Sequence, residues 1–571
     1  MKFEENYEKW LTSKLLKKGE LEELTLIKDN KKEIEDRFYR ELEFGTAGLR
    51  GKMGMGTNRM NRFVISRVSN ALAKTIIESG KKEKGIVIAY DSRIHSKEFA
   101  KIAALVMASN GIKTYLFESL RPTPELSFAV RYLNTISGIN ITASHNPKEY
   151  NGYKVYWEEG SQIKSNISDK VLSYVKDMDV FSNYITITEE EAISKGLLEF
   201  IGKNVDEAFY KEVLLRTIND SNIDKNINIV YTPLNGAGYI PVTTILDRRG
   251  FKNVYIVEEQ KEPDGTFPTL EYPNPENIAA FEYSEKLAKK VDADVILATD
   301  PDCDRLAVEV IHENKIVPIN GNQTGAILVK YILDNLSKSE EKITKPYIVK
   351  SIVTSKMIEP LCKEYGIEVI DVLTGFKNIA EVVNKYEKTK EKYYVMGYEE
   401  SIGYNVGTFL RDKDGVTISM LLVEIVAYYK NMGKTLIDVL EDFYKKYGYY
   451  SDKTISITYE GIEGAKKISR IMEKIRDVYP KKIGESKIKM ITDYLESKEI
   501  YIDSKKEKNI DIEKTNAIRF TYSDETWYTL RPSGTEPKIK LYIYTKGENK
   551  EETLEKICLV EKEIMSIFKD I

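Results

Sequence analysis

The chain has 571 residues, 42% hydrophobic and 31% charged, with 86 basic side chains against 90 acidic ones and a formal net charge of -4. That length exceeds a single hydrophobic core, which stops growing near about 250–300 residues, so three or four domains are expected. The balanced charge offers no basic surface for nucleic acid, three cysteines without metal-ligand spacing make no disulfide framework, and three histidines exclude a histidine-rich zinc site.

The start of the chain, MKFEENYEKW, is polar and does not read as a secretory leader. No apolar run approaches the roughly 18 residues of a membrane helix. The expected setting is a reducing cytoplasm, with the protein a monomer or weak dimer and neither nucleic acid nor membrane a partner. Residues 1–43 read as helix, with Trp10, Leu11, Leu15, Leu16, Leu21 and Leu24 at helical spacing. A β-α-β-α-β run follows. GIVIAYDSR is a buried strand, and SKEFAKIAALVMASNG a helix with Ser96 as N-cap and Asn110-Gly111 as its stop. KTYLFES is a strand, TPELSFAVRYL a helix capped by Thr123 with Pro124 first inside, and SGINITASHNP a strand running into a loop. The same rhythm returns from INIVYTPL to ADVILATD and from PYIVKSIVTS to YYVMGYEES. The last part mixes strand-like TISITY, AIRFTYS and IKLYIYTK with amphipathic helices, and the charged stretch from Lys481 to Lys514 reads as exposed loops.

The expected fold class is therefore α/β: three similar α/β domains with mixed, largely parallel sheets, plus a smaller α+β C-terminal domain around a central cleft. The expected domains are 1–210, 211–320, 321–445 and 446–571. In open α/β sheets ligands bind beyond the carboxyl ends of the strands, so the third strand of each unit marks a candidate site.

Those strand ends carry the chemistry. The first is Thr142-Ala143-Ser144-His145-Asn146-Pro147, followed by Asn151-Gly152-Tyr153-Lys154. A serine there suits a hydrolase nucleophile or a plain cap, but the G-x-S-x-G elbow is absent, and histidine, asparagine and lysine supply donors for a phosphate. The second is Asp300-Pro301-Asp302-Cys303-Asp304-Arg305, three carboxylates at alternate positions able to aim oxygens at one hard cation such as magnesium. It lacks the glycine and glutamate of an EF-hand loop. The third is Gly397-Tyr398-Glu399-Glu400-Ser401, suited to sugar hydroxyls, with Lys413 in a loop beyond it. The fourth is Arg531-Pro532-Ser533-Gly534-Thr535-Glu536-Pro537-Lys538, whose arginine fork, hydroxyls and glycine make a phosphate cradle. Phe44-Gly45-Thr46-Ala47-Gly48-Leu49-Arg50-Gly51 suggests a further phosphate contact.

Taken in order, these motifs resemble the α-D-phosphohexomutase superfamily, the phosphoglucomutase and phosphomannomutase enzymes, from about Phe44 to Lys540. The opening loop and the Glu399-Glu400-Ser401 segment look most like its longer, phosphoglucomutase-2-like branch. The resemblance implies a phosphosugar mutase interconverting α-D-glucose 1-phosphate and glucose 6-phosphate, with a phosphopentomutase or phosphomannomutase as the alternative. It implies that Ser144 carries the phosphoryl group and that Asp300, Asp302 and Asp304, with the serine, hold Mg2+. Glu399, Ser401, Thr374 and Gly375 would line the sugar site, and Arg531, Ser533, Gly534 and Thr535 would grip the phosphate not being transferred. Arg50, His145, Lys154, Arg305 and Lys413 would serve the reacting phosphate or proton transfer, with Lys154 and Lys413 both open as general acid or base if their affinity for protons is lowered. Glucose 1,6-bisphosphate would be intermediate and activator, turning around in a cleft that the last domain closes. Two departures stand out. Cys303 occupies a position where the family more often has alanine or glycine, implying sensitivity to soft metals or oxidants. Phe376-Lys377 replaces a histidine or tryptophan of other branches, which leaves hexose and pentose both open.

Overall fold

The computed structural model describes residues 2–42, 44–45, 48–338, 343–459, 461–533 and 538–569. Three short helices, Lys2–Leu11, Lys18–Leu26 and Lys31–Phe38, precede the first sheet. They close over a small core of Trp10, Phe38 and Phe63, while Leu15 and Leu21 of the same apolar pattern stay exposed.

The first sheet has seven strands, in the order Phe44–Gly45, Gly48–Lys52, Tyr150–Trp157, Ser137–Ile141, Ile86–Tyr90, Thr114–Phe117 and Leu198–Ile201. The last four run parallel, and the first three join them antiparallel. Ile86–Tyr90 and Ser137–Ile141 are buried along their whole length, as strands covered by helices on both faces must be. The second sheet repeats this scheme in five strands (Lys315–Ile319, Leu306–His312, Val295–Thr299, Ile229–Thr232, Val254–Ile256), and the third in four (Glu368–Val372, Pro346–Ser351, Tyr393–Glu399, Gly403–Val406). Each has a parallel centre and an antiparallel edge. The fourth sheet is antiparallel throughout, from Tyr449–Thr458 to the hairpin of Lys498–Tyr501 and Lys506–Asn509. Helices Gly461–Asp477 and Lys550–Lys569 accompany it.

Three local expectations are corrected. The stretch from Lys481 to Lys514 is a run of strands, including Ser486–Asp493, because its alternating Ile488, Met490 and Thr492 pair with Ile518–Tyr522 despite the intervening lysines. Ser96 does not cap its helix: His95 holds that position at φ 64°, and the Ser96 hydroxyl donates to the buried Asp91 at 2.7 Å. Pro122 precedes the next helix, and the Thr123 hydroxyl reaches Asp302 at 2.7 Å. In both places a buried carboxylate takes the hydroxyl that a helix end would have used.

One continuous apolar core joins the first three sheets, running from Val87 and Phe128 through Leu297 and Leu421 to Phe443. Helix Gly415–Lys430 lies at its centre and is fixed by Glu424, which accepts from Arg249 Nη1 and the Tyr331 hydroxyl at 2.8 Å and from Asn219 N at 2.7 Å. Arg249→Met would leave that carboxylate buried without its cation, a loss of about 3–5 kcal/mol. A lowered midpoint of chemical unfolding is the expected readout, and an unchanged midpoint would show that the neutral donors suffice.

Candidate active site

The polypeptide leaves three strand ends at one place. Ser137–Ile141 runs out into Thr142-Ala143-Ser144, where Ser144 turns into the left-handed region at φ 52° and its amide donates to Thr142 Oγ1 at 2.8 Å. Val295–Thr299 runs out into the three aspartates, all buried. The loop after Gly403–Val406 delivers Asp412 and Lys413, and Asp414 closes it by capping helix Gly415–Lys430 through Val416 N and Thr417 N, both at 3.0 Å.

Their side chains meet. Ser144 Oγ donates to Asp300 Oδ2 at 2.7 Å and lies 3.1 Å from His145 Nδ1. Lys154 donates to Asp302 Oδ2 at 2.7 Å, and Lys413 lies 3.1 Å from Asp304 Oδ2 and 3.2 Å from Asp412 Oδ1. Arg305 turns back to Asp300 through its amide at 3.1 Å and to the Ser401 carbonyl through its guanidinium at 3.4 Å. Arg50, opposite Gly152 on the neighbouring strand, donates to Asn146 Oδ1 at 3.1 Å.

Charge explains the protonation. Burial, then Asp302 and Asp304, push Asp300 well above the usual carboxylate range. Burial acts on Asp302 the same way, but Lys154 outweighs it and holds that group below its ordinary value. Burial also pulls both lysines down, yet Asp302 and Asp304 beside Lys154, and Asp304 and Asp412 beside Lys413, hold them above the usual lysine value. The lowered lysines that the sequence suggested are therefore absent from this arrangement, and both are charged donors. A cation bound between the aspartates would compete for the same carboxylates. Desolvation, then Arg305 and Arg50, keep His145 a neutral imidazole.

Oxygens of Asp300, Asp302 and Asp304 lie within 4.8 Å of one another, the single such group among the described residues. Asp302 Oδ1 and Asp304 Oδ1 are buried without a hydrogen-bond partner. Buried carboxylate oxygens left unpaired are costly, and a hard divalent cation satisfies them. Cys303 does not share this role. Its backbone takes φ 51°, its thiol packs toward Gly238 and Gly415, and burial pushes it well above the usual thiol range. A buried protonated thiol is a poor nucleophile, which weighs against the sensitivity to soft metals and oxidants that its position implied.

A second group lies alongside. The amide of Gly375, at φ 109°, donates to Glu399 Oε1 at 2.7 Å, tying the Thr374-Gly375 turn to the end of Tyr393–Glu399. Phe376 is buried with Lys413 Nζ 5.6 Å from its ring centre, so it supports the lysine. Glu400 accepts from Ser351 at 3.1 Å and Thr354 at 3.2 Å, and burial with the adjacent Glu399 pushes it up to about 7. Arg531 stands on the fourth sheet with Ser533 just past the end of its strand Trp527–Pro532, and Tyr542 lies within electrostatic reach of both Arg531 and Glu400. Gly534 and Thr535 lie outside the described residues, as do Thr46 and Ala47. Sequence reasoning missed Thr123, Asn140, Arg93 and Asp412. Asn140 donates to Thr123 at 2.7 Å behind Asp302, and Asp412 accepts from Tyr156 at 2.8 Å behind Lys413. Their signal is burial and long-range contact, which spacing along the chain does not carry.

Profiles of the phosphoglucomutase/phosphomannomutase α/β/α domains I, II and III match residues 41–180, 207–312 and 320–447. A phosphoglucomutase of Staphylococcus aureus (strain bovine RF122 / ET3-1) is 38% identical over 529 residues, 92% of this chain and 93% of that protein. One from Staphylococcus saprophyticus is 38% identical over 516 residues, 90% and 92% of the two chains. Among solved structures, the open form of pp63/parafusin, a phosphoglucomutase from Paramecium, superposes with a TM-score of 0.67 at 16% identity, covering 93% of this chain and 96% of that one. A phosphoglucomutase/phosphomannomutase family protein from Burkholderia thailandensis gives 0.65 at 16% identity, over 92% and 97%.

A divalent cation at about 100 times its Kd should stabilise the folded protein by about 2.7 kcal/mol. Asp302→Asn and Asp304→Asn should each abolish that shift in a thermal unfolding series. A shift that persists in both variants would place the cation elsewhere.

Proposed function

The chain belongs to the phosphoglucomutase/phosphomannomutase family of the α-D-phosphohexomutase superfamily, and from that premise we propose that it interconverts α-D-glucose 1-phosphate and glucose 6-phosphate. It is a phosphosugar mutase. The choice of glucose rests on the phosphoglucomutases it resembles across nine-tenths of its length. The observation that carries the site assignment is Ser144 Oγ, 2.7 Å from Asp300 at the edge of three buried carboxylates.

In this reading Ser144 Oγ carries a phosphoryl group. The P–O bond to Ser144 breaks as a bond to the free sugar hydroxyl forms, giving glucose 1,6-bisphosphate. The bisphosphate turns around and returns its other phosphoryl group to Ser144. Asp300, Asp302 and Asp304 would hold Mg2+, which withdraws charge from phosphoryl oxygens when bound. Lys154, Lys413, Arg305 and Arg50 supply positive charge around the reacting phosphate, and such transfers depend chiefly on position and electrostatics. The hydroxyl proton passes to a base: His145 is the neutral group in this arrangement, and Lys154 or Lys413 would serve only where a cation on the aspartates draws their carboxylates away and releases a proton from the lysine. Glu399, Ser401, Thr374 and Gly375 would hold the sugar, and Arg531, Ser533, Gly534 and Thr535 the remote phosphate. A trace of bisphosphate would serve as activator. The protein would act in the cytoplasm as a monomer or weak dimer; no helix among the described residues is long and apolar enough to cross a membrane.

A coupled assay on glucose 1-phosphate, with magnesium and a trace of glucose 1,6-bisphosphate, should give strong turnover that EDTA abolishes and Ser144→Ala lacks. Ribose 1-phosphate and mannose 1-phosphate run beside it. A preference for either would move the substrate to the pentose or mannose alternative, and near-normal turnover by Ser144→Ala would refute the phosphoserine scheme.

We also propose that the fourth domain swings. The chain enters it through Gly448 alone, at φ 95°, between helix Leu436–Tyr447 and strand Tyr449–Thr458. X-ray scattering should show a smaller radius of gyration with substrate, and superimposable profiles would argue against closure.

A further inference from the structure

Arg93 takes no part in the scheme above, yet it is buried directly behind the serine loop at 3% exposure. Its guanidinium donates to four backbone carbonyls of that loop: Ser144 at 2.5 Å, Pro147 at 2.9 Å, Tyr150 at 3.1 Å, and Asn146. Behind it stands the equally buried Asp91, whose carboxylate lies 3.4 Å from Arg93 Nε and accepts from the Arg93 amide at 2.9 Å. A planar fork with five donors can meet four carbonyls at once, which an ammonium with three donors cannot.

The other face of the guanidinium is covered by the second domain. The Phe267 ring centre lies 5.1 Å from Arg93 Cζ, a cation–π distance, and Phe267 is 1% exposed. Arg93 and Gly265 form a parallel backbone bridge, with no room for a side chain: a Cβ at Gly265 would lie 2.4 Å from Ile94 N. The segment carrying Gly265 and Phe267 is tied in turn to the aspartate loop. Asp264 N donates to the Asn235 carbonyl at 3.2 Å, and two residues on Ala237 N donates to the carbonyl of Pro301 at 2.8 Å. A chain of contacts thus runs from the backbone of Ser144, through Arg93 and Phe267, to the residue after Asp300.

Ser144 needs such support. Its φ of 52° is a conformation that side-chain-bearing residues hold only where the surroundings over-determine it. Its hydroxyl must also meet a carboxylate delivered by a different sheet. We propose that Arg93, held between Asp91 and Phe267, is a positioning residue that fixes the Ser144 loop in register with the aspartates of the second domain. The loop-holding role stands on the geometry alone; its catalytic consequence rests on the phosphoserine reading.

The test is amide hydrogen exchange beside steady-state kinetics, on the full-length wild type, Arg93→Gln and Phe267→Leu. Arg93→Gln should speed exchange at residues 142–150 by about tenfold or more while Val295–Thr299 keeps its protection. Its kcat should fall about 10²-fold with KM within about threefold, since a small misplacement of a reacting group suffices for that loss. Phe267→Leu keeps apolar volume and removes only the ring face, and should show the same pattern, smaller in both readouts. Wild-type protection at 142–150 in both variants overturns the proposal. So does a kcat loss that matches the unfolded fraction, with exchange raised evenly across all sheets. If the wild type turns over no phosphosugar, the phosphoserine reading fails, and exchange at 142–150 still decides whether Arg93 holds the loop.

Discussion

Three carboxylates buried within a few ångströms of one another are the constraint on which this molecule is arranged. Alone, such a group would not remain ionised in a protein interior. Asp300 follows that rule and holds its proton well above the usual range, while compensating charge reaches Asp302 and Asp304 from three directions. Lys154 comes from a strand of the first sheet, Lys413 from the loop beside the third, and Arg305 from the aspartate loop itself. The same electrostatics that prepares a cation site therefore fixes how three domains lie against one another. One continuous apolar core across the three sheets supplies the area, and the charges supply the register.

This division of labour also explains what was legible in the sequence. The parallel strands announced themselves as fully apolar runs such as IVIAY and VILAT, because strands covered on both faces tolerate little else. Their ends announced the site, because chemistry collects where a buried strand first meets polar loop. Thr123 and Ser96 were read as caps for a sound local reason: helix starts favour hydroxyls. Each is taken by a carboxylate instead, Asp302 from 179 positions away and Asp91 from 5. Local rules cannot see the distant partner. The Lys481–Lys514 stretch misled for the complementary reason. Its charges describe the solvent face of an antiparallel sheet, while Ile488 and Ile491, brought to one face by a register shift between Ile488 and Met490, lie in the core.

The lysines illustrate how far composition carries a mechanism. Burial alone argues for neutral lysines able to take a proton. Burial beside carboxylates gives the reverse, and only the assembled site decides between them. A cation among the aspartates would draw those carboxylates away from the lysines, so cation binding and lysine protonation are linked through shared oxygens. Arg93 belongs to the same logic from the other side. Its partners in the loop are neutral carbonyls, which a cation among the aspartates would not draw away, so it is suited to holding the loop steady while the charges around Ser144 change.

The fourth sheet is joined differently. Its core is separate from the continuous core of the first three. It meets the third domain through a modest patch in which Trp527 and Tyr544 stack at 4.0 Å and pack toward Ile352 and Val353. Interfaces of that kind permit relative motion, whereas a shared core resists it. The patch also lies on the sheet face that carries Arg519 beside Trp527, and Arg519 sits within reach of Asp371, itself bound to Lys350 at 2.7 Å. Opening this seam would expose ionised groups to water, a change with little net electrostatic cost once both sides are solvated. Opening any seam among the first three domains would instead divide an apolar core and strand the carboxylates from their lysines. The proposed swing would thus be confined to the domain that carries Arg531 and Ser533, leaving the serine, the aspartates and the two lysines together.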